Sequence, residues 1–393
     1  MKVAIAGGKL QGVEATFLAQ ELGWEVLLLD RNPNVPARGL CDSFFQCDLV
    51  KDASEVHKIL KKVDMVIPAL ENVSALRSLG RCVASAGIPF AYDGKAHFVS
   101  RSKNRSNRFF EKLGIPIPSL WPQCRFPVIV KPSNLSGSKG VGKLSTEEEI
   151  SSFFNSVKGG QERWVLQEYL EGPSYSLEVL GFEDRYEILQ VTDLEMDERY
   201  DCKRVVAPSR ISIPLEEEFR EITHTIAKGL GLKGIMDVEV VAHQGKLKVL
   251  EIDARLPSQT PTTVLRSTGI NMLEILGDIF VNGSLRPLPG FGPPRGVIYE
   301  QIRVSENGIE VLGEHIIGDA GPLRRVDQFF GADLALTNFD GFRLPWTAIL
   351  IVTDDNREKA WRKRCQIIEE IEKDLAIFFS SRPKKKADHL CPQ

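Results

Sequence analysis

Strand and helix patterns alternate along the first hundred residues, and this alternation restricts the fold more than any other feature of the sequence. Short apolar runs such as Val3–Ala6 and Glu25–Asp30 are separated by stretches with helical periodicity. Strands separated by helices pair in parallel through right-handed crossovers. We therefore predict an α/β domain over this region, with further strands at Phe44–Cys47, Met65–Pro68 and Phe90–Tyr92.

The pattern changes after a Gly/Pro break at 114–118. A Gly/Ser-rich loop at 133–143 precedes new strands, and the sequence His243-Gln244-Gly245-Lys246 is typical of a β-hairpin turn. A Pro/Gly-rich stretch at 287–296 indicates a second boundary. The predicted units are an N-terminal domain at 1–100, a central domain at 101–290 with a flap subdomain at about 115–180, a smaller C-terminal α/β lobe at 291–380 and a disordered tail at 381–393.

Composition excludes several classes of partner. The 393 residues carry 50 Lys and Arg against 53 Asp and Glu, a formal charge of −3. That balance gives no electrostatic reason to bind nucleic acid or an anionic membrane. No apolar run approaches the ~18 residues of a membrane span. The seven scattered cysteines contain no C-x-x-C pair, which favours reduced thiols and a cytoplasmic location.

Two glycine-rich loops resemble nucleotide-binding motifs without matching them. The loop Gly7–Gly12 follows the first strand but lacks the third-glycine spacing of a dinucleotide motif, which favours a plain tight turn, with Asp30 as a strand-end residue. The loop Gly137–Leu144 nearly spells a P-loop, yet Leu144 lacks the hydroxyl that binds magnesium. Because Lys131 lies on the preceding strand, a flap that covers phosphates fits better than a P-loop or a mobile hairpin.

A group of carboxylates lies on the two strands of the predicted hairpin. Glu251 and Asp253 project to one face because side chains alternate along a strand. A turn centred on Gln244 would place Asp237 opposite Glu251 on that face. Three converging carboxylates repel one another unless cations lie among them, and Mg²⁺ with nucleotide phosphates meets that need. A solvated strand face is the alternative.

The ordered set Lys103, Lys131, Gln167–Gly172, Asp237 and Glu251-x-Asp253-x-Arg255 resembles the ATP-grasp carboxylate–amine ligases. The resemblance covers about 1–290 and implies an ATP-grasp fold, with a Rossmann-like N-terminal domain, a central α+β domain and a C-terminal lobe. It also implies ATP and Mg²⁺ as cofactors, with two ions and with Mn²⁺ as a substitute.

Residue by residue, the resemblance assigns most of the nucleotide and metal site. Lys131 and Arg255 would act on the transferred phosphate or the acyl intermediate, and Asp237, Glu251 and Asp253 would bind metal. The residues assigned to ATP are Lys103, Lys131, Ser136, Ser138, Lys139, Gln167, Glu168, Tyr169, Leu170 and Ser174. Two of these positions depart from the family pattern, since Ser174 replaces a ribose-binding glutamate and Asp253 replaces an asparagine.

The whole chain is similar to the members of this family that act in pyrrolysine biosynthesis. That resemblance implies an amide bond between the carboxylate of (3R)-3-methyl-D-ornithine and the ε-amine of L-lysine, formed through an acyl phosphate. It implies small-molecule substrates and leaves a homodimer open. Substrates with extra ammonium groups need polar or anionic partners, and the candidates are Gln11, Glu71, Asn72, Glu178, Arg255 and Ser258.

The sequence is also compatible with three other functions. An ATP-grasp ligase for another amino acid or for a purine precursor would use the same nucleotide residues. A nicotinamide-dependent dehydrogenase would use the first domain but leaves Asp237, Glu251 and Asp253 without a role. A non-catalytic protein with an ATP-grasp shell is disfavoured, because the lysines and the carboxylates are intact.

Overall fold

A computed structural model describes residues 1–157, 160–288, 290, 292–341 and 343–381. From residue 382 onward the predicted tail lies outside the described residues. Three sheets occur in the described part, with four, three and eleven strands. None of its helices is long and apolar enough to cross a membrane.

The N-terminal sheet is parallel, in the order β3-β2-β1-β4. Val3, Ile5 and Leu28 are completely buried, as expected for parallel strands that are covered on both faces. This confirms the predicted parallel pairing. The elements are β1 (Lys2–Ala6), α1 (Leu10–Glu21), β2 (Glu25–Asp30), β3 (Ser43–Gln46), α2 (Ala53–Leu60), β4 (Met65–Pro68) and α3 (Val73–Ala86).

The predicted strand at Phe90–Tyr92 is wrong. Phe90 forms only an isolated bridge with Val66. The segment cannot extend because Asp93 caps a new helix, α4 (Gly94–Ser100), by accepting hydrogen bonds from the first amides of that helix.

The flap is a three-stranded antiparallel sheet with one helix. Its strands are β5 (Val128–Pro132), β6 (Gly142–Leu144) and β7 (Trp164–Glu168), in the order β6-β5-β7. Helix α5 (Lys103–Leu113) leads into the flap, and α6 (Glu147–Ser156) follows β6. Thr146 caps α6 through the amide of Glu149 at 3.2 Å.

The large sheet has a main path of nine strands, β13-β12-β8-β10-β11-β14-β18-β17-β16, with β9 and β15 at its sides. Because β11 pairs with β14, the sheet continues across the predicted boundary near residue 290. The domain boundaries themselves stay predictions. The strands are β8 (Ser174–Phe182), β9 (Arg185–Ile188), β10 (Thr192–Met196), β11 (Cys202–Ala207), β12 (Gly234–His243), β13 (Lys246–Asp253), β14 (Gly296–Ser305), β15 (Gly308–Val311), β16 (Arg324–Phe329), β17 (Ala332–Thr337) and β18 (Trp346–Asp354).

Helices cover the large sheet and connect it to the N-terminal domain. Phe219 and Ile226 are completely buried on α7 (Ile213–Leu230), which packs against β8 and β9. Helix α8 (Thr260–Thr268) contacts α1 as well as β11 and β14, so it lies between the N-terminal domain and the sheet. The other helices are α9 (Met272–Gly277), α10 (His315–Gly318) and α11 (Arg357–Ser381), with a π-helical turn at Asp278–Asn282.

Candidate active site

Antiparallel pairing of β8, β12 and β13 places two rows of polar side chains on one face of the large sheet. One row consists of Glu178, Asp237 and Asp253, which lie opposite one another on adjacent strands. The next row along the strands consists of Ser176, Glu239 and Glu251. Opposite residues on adjacent strands have Cβ atoms about 4.5–5.5 Å apart, so each row brings its carboxylates into direct contact range.

This register corrects the predicted pairing of Asp237 with Glu251. The hairpin turns through Gln244 and Gly245, and the register shifts between Glu239 and Val240, whose partners are Glu251 and Val249. Leu250 is therefore an extra residue, a β-bulge. Without the bulge Asp237 would face Ile252, so the bulge is what brings the carboxylates of both strands to one face.

Glu239 is a site residue that the sequence reasoning did not assign. It lies directly opposite Glu251. Burial raises the pKa of Glu239 to about 8, and the negative charge of Glu251 adds to this rise. Burial also raises the pKa of Asp253, to about 6. Such carboxylates favour a cation between them, and the alternation along Asp237-Val238-Glu239 already places Glu239 on the face of Asp237.

Two lysines contact this carboxylate face from the flap side. Lys103 at the start of α5 places Nζ 2.7 Å from Glu251 Oε2 and donates to the carbonyl of Leu135 at 2.9 Å. Lys131 on β5 is buried, and its Nζ donates to the carbonyl of the bulge residue Leu250 at 3.4 Å. Burial lowers the pKa of Lys131 to about 8. Both lysines thus lie beside the carboxylates, where phosphate groups bound to a metal would need them.

The flap loop lies over the site. Ser136 Oγ donates to the carboxylate of Glu71, and Ser138 Oγ donates to the carbonyl of Tyr200 at 2.5 Å. Lys139 is exposed. Because Gly142–Leu144 forms a strand that pairs with β5, no helix follows the loop as a P-loop requires. The structure therefore agrees with a flap.

The predicted adenine-binding segment lies at the end of β7. Gln167 is buried, and Ser174 begins β8. The carboxylate of Glu168 accepts from the amide of Ser119 at 2.8 Å and pairs with Lys248, so this side chain has a structural role. The ring of Tyr169 lies 3.9 Å from Lys143 Nζ. With Leu170 beyond them, these residues connect the flap to the large sheet.

The predicted substrate residues are only partly brought together. Arg255 Nη2 contacts Glu71 Oε1 at 2.7 Å and also pairs with Asp253. Asn72 caps α3 by accepting from the amide of Ala75 at 2.9 Å, and Gln11 is half-buried in the first turn of α1. Glu178 belongs to the first carboxylate row. Ser258 Oγ donates a hydrogen bond to Glu314 Oε2 at 2.7 Å.

Glu178 is completely buried, and its Oε2 has no hydrogen-bond partner among the described residues. Asp237 Oδ1 beside it is likewise buried and unpartnered in the described chain. Burial raises the pKa of Glu178 to about 7. Two adjacent acceptors without donors are costly inside a protein, so this row is suited to a donor that arrives with a ligand.

Three further polar residues border the site without any motif that marks them. Glu314 in the C-terminal lobe accepts from Ser258 and from Gln259 Nε2, at 3.0 Å for the latter. Glu14 on α1 is buried and accepts from the amide of Thr262 at 2.6 Å. His97 is buried, with Nδ1 2.9 Å from the hydroxyl of Tyr92.

A cleft of about 610 Å³ opens beside the carboxylate rows. Ligand sites commonly have volumes of about 300–1,000 Å³. Helices α4 and α5, the flap loop and the end of β13 line this cleft. Its lining includes Glu71, His97, Lys103, Ser136, Glu251, Asp253 and Arg255.

The first glycine loop has a structural explanation. Asp30 Oδ2 accepts from the amide of Gly8 at 2.8 Å, and Asp30 Oδ1 accepts from the amide of Asn32 at 2.8 Å. A Cβ atom at Gly12 would lie 2.1 Å from the carbonyl oxygen of Gly7. The loop is a tight turn closed by Asp30, in agreement with the expectation of a plain turn.

Known proteins are similar to this chain in sequence and in fold. The protein-family model of the ATP-grasp domain matches residues 100–259, the segment that contains both lysines, the flap and the carboxylate rows. The 3-methyl-D-ornithine–L-lysine ligase of Methanosarcina barkeri is 33% identical over 93% of this chain and 96% of its own length. The chain belongs to this ligase family. The corresponding ligase of Methanosarcina acetivorans is 36% identical over 80% of this chain and 83% of its own length.

Solved structures share the fold of this ligase. The biotin carboxylase domain of the Hydrogenobacter thermophilus 2-oxoglutarate carboxylase, solved as a dimer with MgADP, ADP and bicarbonate, has a TM-score of 0.72 at 17% identity, covering 94% of this chain and 89% of its own. The L-amino acid ligase of Bacillus licheniformis has a TM-score of 0.66 at 17% identity, covering 94% of this chain and 97% of its own. The predicted ATP-grasp fold is confirmed.

The chain is an ATP-dependent ligase, as the resemblance predicted. ATP-grasp enzymes use ATP and Mg²⁺. The facing pair Glu239 and Glu251 fits a hard divalent cation, because it supplies carboxylate oxygens from two adjacent strands and a cation would offset the repulsion that helps raise the pKa of Glu239. Asp253 lies two residues beyond Glu251 on the same face of β13 and is the third carboxylate of this face.

Proposed function

We propose that this ligase joins the carboxylate of (3R)-3-methyl-D-ornithine to the ε-amine of L-lysine. The products are 3-methylornithyl-N6-lysine, ADP and phosphate, and the reaction belongs to pyrrolysine biosynthesis. The observation that carries this proposal is the identity of 33–36% to ligases named for these two substrates, over 80–93% of this chain. We also propose a cytoplasmic homodimer, for which the dimeric biotin carboxylase domain offers a precedent in the same fold.

The chemistry requires activation of the carboxylate. A carboxylate oxygen is a poor leaving group, so the γ-phosphoryl group of ATP is first transferred to it. The resulting acyl phosphate reacts with a neutral amine, forming the C–N bond while phosphate leaves with the electron pair of the C–O bond. Catalysis of the first step depends on neutralising charge that spreads over the phosphoryl oxygens.

The residues of the site divide this work. In our proposal Lys103 and Lys131 hold the phosphates and Arg255 steadies the acyl phosphate. Mg²⁺ would be held by Glu251, Asp253 and Glu239, the last in place of Asp237, because Glu239 lies opposite Glu251. A magnesium ion supplies charge neutralisation during phosphoryl transfer. Two ions, and replacement by Mn²⁺, are part of the proposal.

In our proposal, the flap and the segment at the end of β7 bind the nucleotide. Ser136, Ser138 and Lys139 close over the phosphates in this proposal. The contacts of Ser136 with Glu71 and of Ser138 with Tyr200 support it, because they hold the loop over the carboxylate rows. Adenine and ribose would lie against Gln167, Glu168, Tyr169, Leu170 and Ser174.

Recognition of the diamino acid is assigned to the first carboxylate row. Glu178 and Asp237 each have a buried oxygen without a donor in the described chain, and an ammonium group supplies three donors and a positive charge. Glu71 contacts Arg255, which also pairs with Asp253 of this row, and Ser258 contacts Glu314. Gln11 and Asn72 stay candidates at the edge of the N-terminal sheet.

The test is a ligation assay with ATP, Mg²⁺, L-lysine and D-ornithine, which lacks only the methyl group of the proposed acid. We expect ADP and a species with the summed mass of both amino acids less water, absent when either is omitted. ADP without that species would reject this acid–amine pair while keeping an ATP-grasp ligase for another acid. Light scattering on the purified protein checks the dimer, and a monomer would reject it.

A further inference from the structure

Three arginines line the same cleft as Glu251 and Asp253. Arg101 follows α4, and Arg105 and Arg108 lie on the first two turns of α5. Arg105 and Arg108 are three residues apart on α5 and lie on neighbouring positions of its surface, whereas Arg101 lies two residues before that helix. Lys103, on the same helix start, reaches Glu251 at the inner end. The cleft therefore connects the reacting groups to a concentrated positive charge.

The positive charge of these arginines is not neutralised within the described part of the chain. None of the three forms an ion pair with a described carboxylate, whereas Arg255 at the inner end pairs with both Glu71 and Asp253. The Nε atom of Arg105 is buried and has no hydrogen-bond partner among the described residues. Arginines that line a cleft without a carboxylate partner are suited to an anionic ligand, because their other guanidinium donors are free to pair with it.

An aromatic side chain fixes the orientation of two guanidinium groups. The carbon Cζ of Arg105 lies 4.0 Å from the centre of the Phe98 ring, and that of Arg101 lies 5.5 Å from it. The Phe98 side chain is 53% exposed, which is unusual for a large apolar residue with no packing role. Stacking holds a guanidinium group in one plane and leaves its donors free for a bidentate contact.

We propose that Arg101 and Arg105, held by Phe98, bind the α-carboxylate of the amine substrate. This inference rests on the proposed function, because it requires an amino acid as the nucleophile. The ε-amine must reach the acyl carbon near Arg255, and the α-carboxylate of an extended lysine lies about 7 Å further out, given bond lengths near 1.5 Å. Arg101 and Arg105 line the same cleft as Lys103 and Arg255.

Binding of the α-carboxylate would make the site selective for lysine as the nucleophile. The ε-amine end of lysine is shared by many alkyl amines, so selectivity must come from the far end of the molecule. A bidentate pair between a guanidinium and a carboxylate supplies both charge and direction. The arginines thereby act as specificity residues, and they leave phosphoryl transfer unchanged.

The test compares L-lysine with L-lysine amide, which keeps both amino groups but has no carboxylate. The wild-type enzyme and the double variant Arg101→Gln/Arg105→Gln are assayed with ATP, Mg²⁺ and D-ornithine. We expect the double substitution to raise KM for L-lysine about 10- to 100-fold, the value of a charge-assisted hydrogen-bonded pair. KM for L-lysine amide, D-ornithine and ATP should stay unchanged, so that the preference for lysine disappears.

Two further variants sharpen the comparison. Arg81→Gln removes an exposed arginine on α3 that does not line the cleft, and it should keep the wild-type preference. Arg105→Lys keeps the charge but loses the planar fork, and it should keep part of the preference.

The outcomes separate this inference from the proposed function. An unchanged preference for lysine in the double variant, or an increase of KM for ATP instead, would refute the carboxylate assignment alone. No joined product from the wild-type enzyme with either amine would refute the proposed function and this inference with it.

Discussion

Replacement of Glu239 by glutamine should have opposite effects with and without magnesium. Glu239 lies directly opposite Glu251 on the adjacent strand, and Lys103 pairs with Glu251. In the metal-free protein this pairing is unfavourable. When Mg²⁺ lies between the two carboxylates, the same pairing becomes the binding site.

The size of the metal-free effect follows from the pKa of Glu239. That pKa is about 8 in the folded protein against an ordinary value of 4.5, so folding is opposed increasingly as the pH rises from 4.5 to 8. At pH 7 the folded protein keeps the proton that the unfolded chain has lost. At about 1.4 kcal/mol for each pH unit, Glu239 costs about 3 kcal/mol at this pH, and the Glu239→Gln variant should recover that amount.

Magnesium should reverse the order of stability. A ligand at a hundredfold excess over its dissociation constant stabilises a protein by about 2.7 kcal/mol. The wild-type protein should gain that stabilisation, whereas Glu239→Gln, which lacks one anionic ligand, should gain much less. Loss of this charge at the reacting phosphate should lower kcat by about 100- to 1,000-fold, by analogy with the removal of one oxyanion-stabilising donor.

The assay is thermal unfolding at pH 7 in the presence of EDTA or of Mg²⁺ with ADP, together with steady-state ADP release. Glu198→Gln is the matched control, because Glu198 is exposed and lies outside the carboxylate rows. A variant that is less stable than the wild type in EDTA, or one that keeps the full response to Mg²⁺, would contradict the assignment of Glu239.

Three other substitutions test separate parts of the site. Glu14→Gln should stabilise the protein by about 3 kcal/mol at pH 8 and by less than 1 kcal/mol at pH 5. Burial raises the pKa of Glu14 from 4.5 to about 7, so its ionisation destabilises the fold at pH 8 and is absent at pH 5. Urea unfolding at both pH values measures the gain in stability, and equal gains would refute this prediction. Lys131→Met should lower kcat for ADP release about 100-fold, because an apolar side chain replaces a buried cation beside the phosphates. Circular dichroism should show that the variant stays folded. A kcat within twofold of the wild-type value would show that Lys131 has no role in phosphoryl transfer. Glu178→Gln should raise KM for D-ornithine about 10- to 100-fold and leave KM for ATP unchanged, because a charge-assisted contact with an ammonium group is lost. An increase in KM for ATP alone would show that Glu178 does not bind the amino acid.

Much of the fold follows from local patterns. The parallel strands β1, β2 and β4 are continuous apolar runs between helices, and burial on both faces requires that composition. The antiparallel strands β10, β11, β16 and β17 are not indicated by local patterns, because their alternation is broken by charged residues such as Arg204, which is buried with Glu300. Only the tertiary pairing of these charges makes such a strand stable.

The candidate site shows where sequence reasoning ends. Spacing along one strand predicts that Glu251 and Asp253 share a face, and the structure agrees. Pairing across the hairpin cannot be read from spacing, because a single bulge at Leu250 changes every partner beyond it. Glu314 could not be predicted from the sequence for another reason. It belongs to the C-terminal lobe, contacts Ser258 only in the folded chain, and lies in no recognisable motif.

The central claim is that this site activates a carboxylate by phosphorylating it before the amine attacks. The most direct test uses D-ornithine labelled with ¹⁸O in its carboxylate, with ATP, Mg²⁺ and L-lysine, followed by mass spectrometry of the released phosphate and the joined product. The account predicts one labelled oxygen in each phosphate released, because the carboxylate oxygen that binds phosphorus leaves with it. Unlabelled phosphate, or label in AMP, would contradict an acyl phosphate at this site.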